Sequence, residues 1–221
     1  KILLIQAREH PWKVKWDKQS FSRAAGLDEK NLKSVNIFDG RLRLGDLLGF
    51  DAVIIGGSKY DVRNEITNKE ILKEFISRAV KIKLPLLGVC FGAQIIADEL
   101  GGKVITDDRR AEYGTYQMTK TSEGERDALL SGLPKKFLAQ CAHHDKIIKL
   151  PPAGLSLACS KNCQVQAFKI FGTRIYGTQF HPERSREDYK ESLNFEMKNL
   201  SPHGRESERE SLKGIAEKLK P

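Results

Sequence analysis

The sequence predicts an α/β protein built as a three-layer sandwich with a mostly parallel mixed central sheet. Three observations point there. Through the first half of the chain, short apolar runs alternate with amphipathic stretches of helical period, the pattern of a parallel sheet covered by helices on both faces. One run, residues 84–89, is apolar on both faces, as a central parallel strand must be. In the second half, strand-like segments follow one another across turn residues, which predicts some antiparallel pairing.

Residues 2–6 form the first predicted strand; the apolar stretch is too short for a secretory leader, and no cleavage-site pattern follows it. Residues 34–38 and 52–55 are the next two strands, and the second ends at Gly56-Gly57, where the chain must turn. Residues 68–80 predict a helix: Ile71, Leu72, Phe75, Ile76 and Val80 recur at helical spacing, and Asn68 is placed to cap the start. After the strand at 84–89, a short helix is expected over 91–100, stopped by Gly101-Gly102. Strands are then expected at 116–119, 137–141, 155–159, 164–170 and 174–180, before a terminal helix at 186–200 with Tyr189, Leu193, Phe195 and Met197 on its apolar side. The domain is expected to occupy residues 1–200. Residues 201–221 read as a charged tail, with Leu212, Ile215 and Leu219 as a thin stripe that would suit a helix.

At 221 residues the chain is long enough to bury a core, and 39% apolar against 30% charged side chains is the balance of a globular protein rather than of a disordered or collagenous one. The net charge of +9 is spread out: 10 basic against 6 acidic residues over 1–50, 19 against 15 over 51–183, and 9 against 8 over 184–221. Such a surface suits an anionic substrate or an acidic partner face better than a nucleic acid, so no nucleic-acid partner is expected. Four irregularly spaced cysteines, Cys90, Cys141, Cys159 and Cys163, give no disulfide framework and point to a reducing compartment. No apolar run approaches the ~18 residues a membrane span needs, so no membrane partner is expected and the location is read as cytoplasmic.

The chemistry concentrates in two segments. Gly88-Val-Cys-Phe-Gly-Ala-Gln94 lies where a buried strand gives way to a helix, with the Gly-x-Cys-x-Gly spacing of a nucleophile elbow. A sulfur at a helix N-terminus meets unsatisfied backbone N–H groups and the positive end of the helix dipole, which favour a thiolate. The alternative for such a cysteine is an inert place in a core strand. Tyr176-Gly-Thr-Gln-Phe-His-Pro-Glu183 ends a strand, and residues two apart in extended chain project to one side, so His181 and Glu183 can serve a single site. A carboxylate beside an imidazole is the orienting member that a Cys–His pair requires. Cys90, His181 and Glu183 are therefore the candidate catalytic residues. The turn at Gly56-Gly57 leaves a backbone N–H free to approach a substrate, which makes the N–H groups of Gly57 and Phe91 the candidate oxyanion donors.

These two segments, with Ala97 to Val104, Glu112-Tyr-Gly114 and Ala142-His-His-Asp-Lys-Ile147, resemble the class I (Cys-His-Glu triad) glutamine amidotransferase domain over roughly residues 50–185. The likeness is greatest to the glutaminase portion of GMP synthase and its free-standing relatives. The resemblance implies a flavodoxin-like fold, a γ-glutamyl thioester on Cys90, ammonia protonated by His181, and Glu183 orienting that ring. It further implies substrate contacts from Gln94, one helical turn beyond Cys90, and from the segment of His143 and His144. No cofactor is implied. Neither His143-His144-Asp145 nor Cys159-x-x-x-Cys163 has further ligands at useful spacing, so no metal is assigned. Two features depart from GMP synthase: Ser58 stands where its Gly-Gly-Pro has proline, and Gln6-Ala-Arg-Glu-His10 follows the first strand in place of its Asp-aromatic-Gly-x-Gln. An ATP-binding segment is also lacking from the sequence, so glutamine is the expected small-molecule partner and any synthetase acceptor site would lie on a separate chain. Gly57-Ser-Lys-Tyr-Asp-Val62, Cys90-Phe-Gly-Ala-Gln94 and Ser160-Lys-Asn-Cys-Gln-Val165 look like γ-glutamyl peptidases of the same superfamily, which keeps a γ-glutamyl hydrolase open as the alternative. A non-catalytic scaffold is the third reading.

Overall fold

The computed structural model describes residues 1–199 and 212–215. In chain order the strands are β1 (Ile2–Gln6), β2 (Leu32–Asn36), β3 (Ala52–Ile55), β4 (Leu86–Val89), β5 (Lys103–Thr106), β6 (Glu112–Lys120), β7 (Lys136–His143), β8 (Asp145–Lys149), β9 (Gly154–Cys159), β10 (Ala167–Ile170) and β11 (Ile175–Thr178). The helices are α1 (Pro11–Ala24), α2 (Lys69–Lys81), α3 (Phe91–Glu99), α4 (Ser122–Arg126) and α5 (Arg186–Asn199).

Side-chain alternation along β1 sorts these elements into layers. Leu3 and Ile5 face one side, where they pack with Leu72, Phe75 and Ile76 of α2 and Ile95 and Ile96 of α3. Leu4 faces the other, against Phe21 of α1 together with Leu32, Ile54, Val89 and Cys90. Helix α5 lies beside α1: the ring of Trp12 stacks on Phe195 at 4.1 Å, and Trp16 Nε1 donates to Glu191 at 3.0 Å. Two helical layers thus enclose the sheet.

The sheet has nine strands in the order β2-β1-β3-β4-β11-β10-β9-β6-β7. From β2 to β11 the neighbours run parallel; from β11 onward they run antiparallel. Because the parallel strands share one direction, their carboxyl ends open on one edge, where ligands of such sheets bind. A second small core, with Met118, Leu157, Ala167 and Phe180, fills the antiparallel half.

The predicted strand at 52–55 coincides with β3, and the helix predicted at 68–80 appears as α2. Asn68 does not cap it through its side chain: its backbone is left-handed (φ 62°), and Nδ2 donates to the Ile37 carbonyl at 2.5 Å. β2 ends two residues early because Ile37–Asp39 curls into a 3-10 turn. Helix α1 and the two-stranded sheet of β5 and β8 have no counterpart in the sequence reading. Of the tail expected over 201–221, residues 212–215 are helical and Leu212 and Ile215 pack with Tyr189 and Leu193 of α5. The rest of that tail lies outside the described residues.

Candidate active site

At the end of β4 the chain turns sharply through Cys90, whose φ of 54° and ψ of −108° place it in sparsely populated backbone space, and α3 begins at the next residue. The flanking glycines are required sterically: a Cβ on Gly88 would run into the carbonyl of Gly92, and one on Gly92 into the carbonyl of Ile55. Cys90 N–H donates to the Thr178 carbonyl at 2.7 Å, so the elbow is pinned to the end of β11. The sulfur is buried, with the Ala142 carbonyl at 3.8 Å and Gln179 Nε2 at 3.7 Å. Burial pushes its pKa up to about 11, against the charges of Arg184 and Arg8 and a backbone hydrogen bond from Phe91, all of which favour the thiolate.

His181 follows β11, and its backbone N–H donates to the Gln140 carbonyl on β7 at 2.8 Å. His181 Nδ1 meets Glu183 Oε1 at 2.6 Å, with both residues buried. A carboxylate only accepts, so Nδ1 carries the hydrogen and Nε2 is left to act as a base. Burial pulls the His181 pKa below its ordinary value, helped by the charge of Arg184, so the resting ring is neutral. For Glu183, burial works in the opposite direction but is outweighed by His181 and Arg184, and the carboxyl is held below its usual range.

Gly57, at the turn after β3, joins the two halves of the site. A Cβ on it would lie 3.0 Å from His181 Cε1 and 3.5 Å from Cys90 Cβ, so ring and nucleophile candidate flank the same small space. Gln94 Nε2 donates to the Asp145 carbonyl and to Gln179 Oε1, both at 3.1 Å, on the wall of the same cavity. His143 and His144 line it too. His143 is buried, with Nδ1 3.1 Å from the Asp145 carbonyl; His144 is partly exposed, with Nδ1 2.9 Å from Asp108 Oδ1. The cavity measures about 300 Å³.

Glu112, Cys141 and His143 bring potential ligand atoms within 4.8 Å of one another. The Glu112 oxygens are already used: Oε1 accepts from Ser160 Oγ at 2.7 Å, and Oε2 meets Gln166 Nε2 and His143 Nε2. The Cys141 thiol is pushed well above its ordinary pKa by burial, so it stays protonated. Glu112 is thus the centre of a buried hydrogen-bond network with Ser160, Gln166 and His143.

Four participants escaped the sequence reading. Gln179 sits within the quoted motif, and its amide touches both Cys90 and Gln94. Arg8, Asp17 and Arg184 come together only in the fold: Arg8 Nε is 2.5 Å from Asp17 Oδ2, and Arg184 Nε is 3.3 Å from Glu183 Oε1. The departure of residues 6–10 from the GMP synthase pattern was the one signal pointing to Arg8.

The elbow, the His–Glu pair and the glycine turn occupy the carboxyl edge of a parallel sheet, and the sequence profile of glutamine amidotransferase class-I matches residues 27–199. The chain belongs to this family. A glutamine-hydrolyzing GMP synthase subunit of Sulfolobus acidocaldarius is 36% identical to it over 139 residues, 62% of this chain and 70% of that protein. The chain spans only 26% of the longer GMP synthase of Christiangramia forsetii, to which it is 38% identical over 138 residues. Among solved structures, a glutamine amidotransferase from Thermotoga maritima superimposes with a TM-score of 0.73 at 20% identity, covering 99% of this chain and 96% of that one, which speaks to the fold alone. Unlike the family match, that superposition takes in α1 as well as α5. No helix among the described residues of this amidotransferase is long and apolar enough to cross a membrane.

Proposed function

We propose that this class I amidotransferase hydrolyses the side-chain amide of glutamine through a γ-glutamyl thioester on Cys90. Cys90 Sγ attacks the amide carbon while His181 Nε2 takes the thiol proton, and the N–H groups of Gly57 and Phe91 receive the developing oxyanion. His181 returns that proton to the departing nitrogen, which leaves as ammonia. Water then adds to the thioester carbon, giving up a proton to His181, and glutamate leaves as the proton returns to sulfur. Glu183 holds the ring in the tautomer this cycle needs. Gln94 and the backbone around His143 and His144 hold the amino-acid end of the substrate.

The observation that carries the reading is the meeting of Cys90 Cβ and His181 Cε1 around Gly57, with Glu183 behind the ring. A high thiol pKa beside a neutral imidazole favours proton transfer during attack over a resting thiolate–imidazolium pair. Ammonia would pass to a separate synthetase chain, a partnership suggested by the Sulfolobus relative, which is itself one subunit of a synthase.

One observation favours a second reading, hydrolysis of other γ-glutamyl compounds. Leu193, Leu212 and Ile215 extend the wall of the Cys90 cavity with apolar surface beyond the triad, which suits an amine larger than ammonia. Ammonia release from glutamine, measured beside amine release from γ-glutamyl dipeptides and with candidate synthetases added, separates the two. Turnover of neither by the wild-type chain would leave the scaffold reading.

A further inference from the structure

Asp17 is a carboxylate with no exposed surface, on helix α1, which packs Phe21 against the sheet. Such a burial is costly unless the charge is matched. Its matches are two arginines from distant parts of the chain. Arg8 grips it through Nε at 2.5 Å and Nη2 at 3.2 Å, and Arg184 Nη2 stands 3.8 Å from Oδ1. Trp16, the preceding residue on α1, holds the Arg184 guanidinium 5.0 Å from its ring centre.

Both arginines are turned toward the triad. Arg184 Nε is 3.3 Å from Glu183 Oε1, and Arg8 Nη2 is 3.4 Å from where a Gly57 Cβ would be. Both line the cavity that contains Cys90. Arg184 Nε and Glu183 Oε2 are also buried polar atoms without a hydrogen-bond partner among the described residues, an arrangement that function explains better than stability does.

We propose that Arg8 and Arg184, clamped by Asp17, are positioning residues of the site, fixing Glu183 and supplying the positive charge that lets a buried Cys90 ionise. The proposal rests on Cys90 being the nucleophile. The other groups facing the sulfur do not supply that charge. Glu183 is anionic and opposes it, His181 is neutral at rest, and Tyr113 on β6 and Cys141 on β7 have their own pKa values raised by burial. On the cavity wall Lys13 is paired with Glu196 at 2.7 Å, and Lys59 with Glu9. Asp145 there accepts from Thr106, and His143 and His144 are held by Glu112 and Asp108. Without Asp17 the two guanidiniums would repel each other from the positions they share.

The test is the pH dependence of Cys90 alkylation by iodoacetamide, an uncharged probe, located by peptide mass and read beside kcat and KM for glutamine. Removing one nearby charge in Arg184→Met should raise the alkylation midpoint by about one pH unit. In the same variant kcat should fall by roughly tenfold or more while KM changes less than about threefold, as expected for a group acting on chemistry rather than on binding. Arg184→Lys, which keeps the charge but loses the planar fork, should restore the midpoint while leaving kcat depressed. Arg8→Met reads the same midpoint from another segment, should Arg184→Met fail to fold. Midpoints unchanged in whichever methionine variants fold, with wild-type Cys90 labelled and Cys90→Ala inactive, would overturn the arginine proposal alone. A Cys90→Ala protein that still turns over glutamine would instead remove the reading beneath it.

Discussion

His181 and Glu183 stand two residues apart and meet through a 2.6 Å contact between Nδ1 and Oε1. Pro182 between them fixes its own φ, so the geometry that lets the carboxylate choose the ring tautomer is written into three consecutive residues. Glu183→Gln keeps the shape but loses the charge that orients the ring and stabilises the imidazolium. Glutaminase kcat should drop by roughly 10⁴-fold in a protein that keeps the wild-type circular dichroism spectrum. His181→Ala should cost at least as much, measured as ammonia release.

Gly57 offers a second test, because a side chain there would enter the space between ring and sulfur. The Cβ of Gly57→Ala would stand 3.0 Å from His181 Cε1, tighter than ordinary contact, and would crowd one candidate oxyanion donor. Loss of such a donor typically costs ~10² to 10³ in rate. Steady-state kinetics should show that loss mainly in kcat, with a circular dichroism spectrum matching the wild type.

Gly92→Ala tests the elbow as architecture. Its new Cβ would collide with the backbone carbonyl of Ile55 in a neighbouring strand, which cannot move without breaking the sheet. Destabilisation of about 3 kcal/mol or more by urea unfolding, or failure to fold, is expected.

Stability should also depend on alkaline pH, and the sign follows from the direction of the shifts. Burial raises Cys90 from 9.0 to about 11 and Cys163 from 9.0 to about 12. The unfolded chain therefore releases these protons first, so their contribution is complete below pH 9 and is lost as pH rises through the folded-state values. For Cys90 alone a two-unit shift corresponds to roughly 3 kcal/mol. Melting temperatures recorded from pH 8 to 11 should fall for the wild type and fall less for Cys90→Ala.

Activity should behave differently at the acid end. Because burial and Arg184 lower the His181 pKa below 6.5, the neutral ring required as a base persists into mildly acidic solution. The rising limb of kcat/KM against pH should lie below 6.5. A limb above 7 would mean that the ring is stabilised as imidazolium in the free protein.

The parallel half of the fold was legible where buried strands write continuous apolar runs, as in β3 and β4, and where α2 repeats its apolar face at helical spacing. Helix α1 was hidden because its buried positions include Asp17, Ser20 and Ser22 beside Trp16 and Phe21. One of these polar residues, Asp17, is the one that grips Arg8, so the site itself helped to mask the element that supports it. β5 and β8 pair across about forty residues and carry Lys103, Lys146 and Lys149, which dilute any alternation. In the site, Cys90, His181 and Glu183 stood out because tight turns and strand ends impose local spacing. The meeting of Arg8, Asp17 and Arg184 depends on bringing α1 against the segment that follows β11, far along the chain, and a linear sequence carries no period for that.

The central claim is a covalent step on one sulfur. Acid quenching during glutamine turnover, followed by peptide mass analysis, reads it most directly. A glutamyl group added to the peptide containing Cys90, absent in Cys90→Ala and accumulating when water attack is slowed, is the result this account expects. Steady turnover with Cys90 unmodified at every quench time, or undiminished ammonia release by Cys90→Ala, would contradict it.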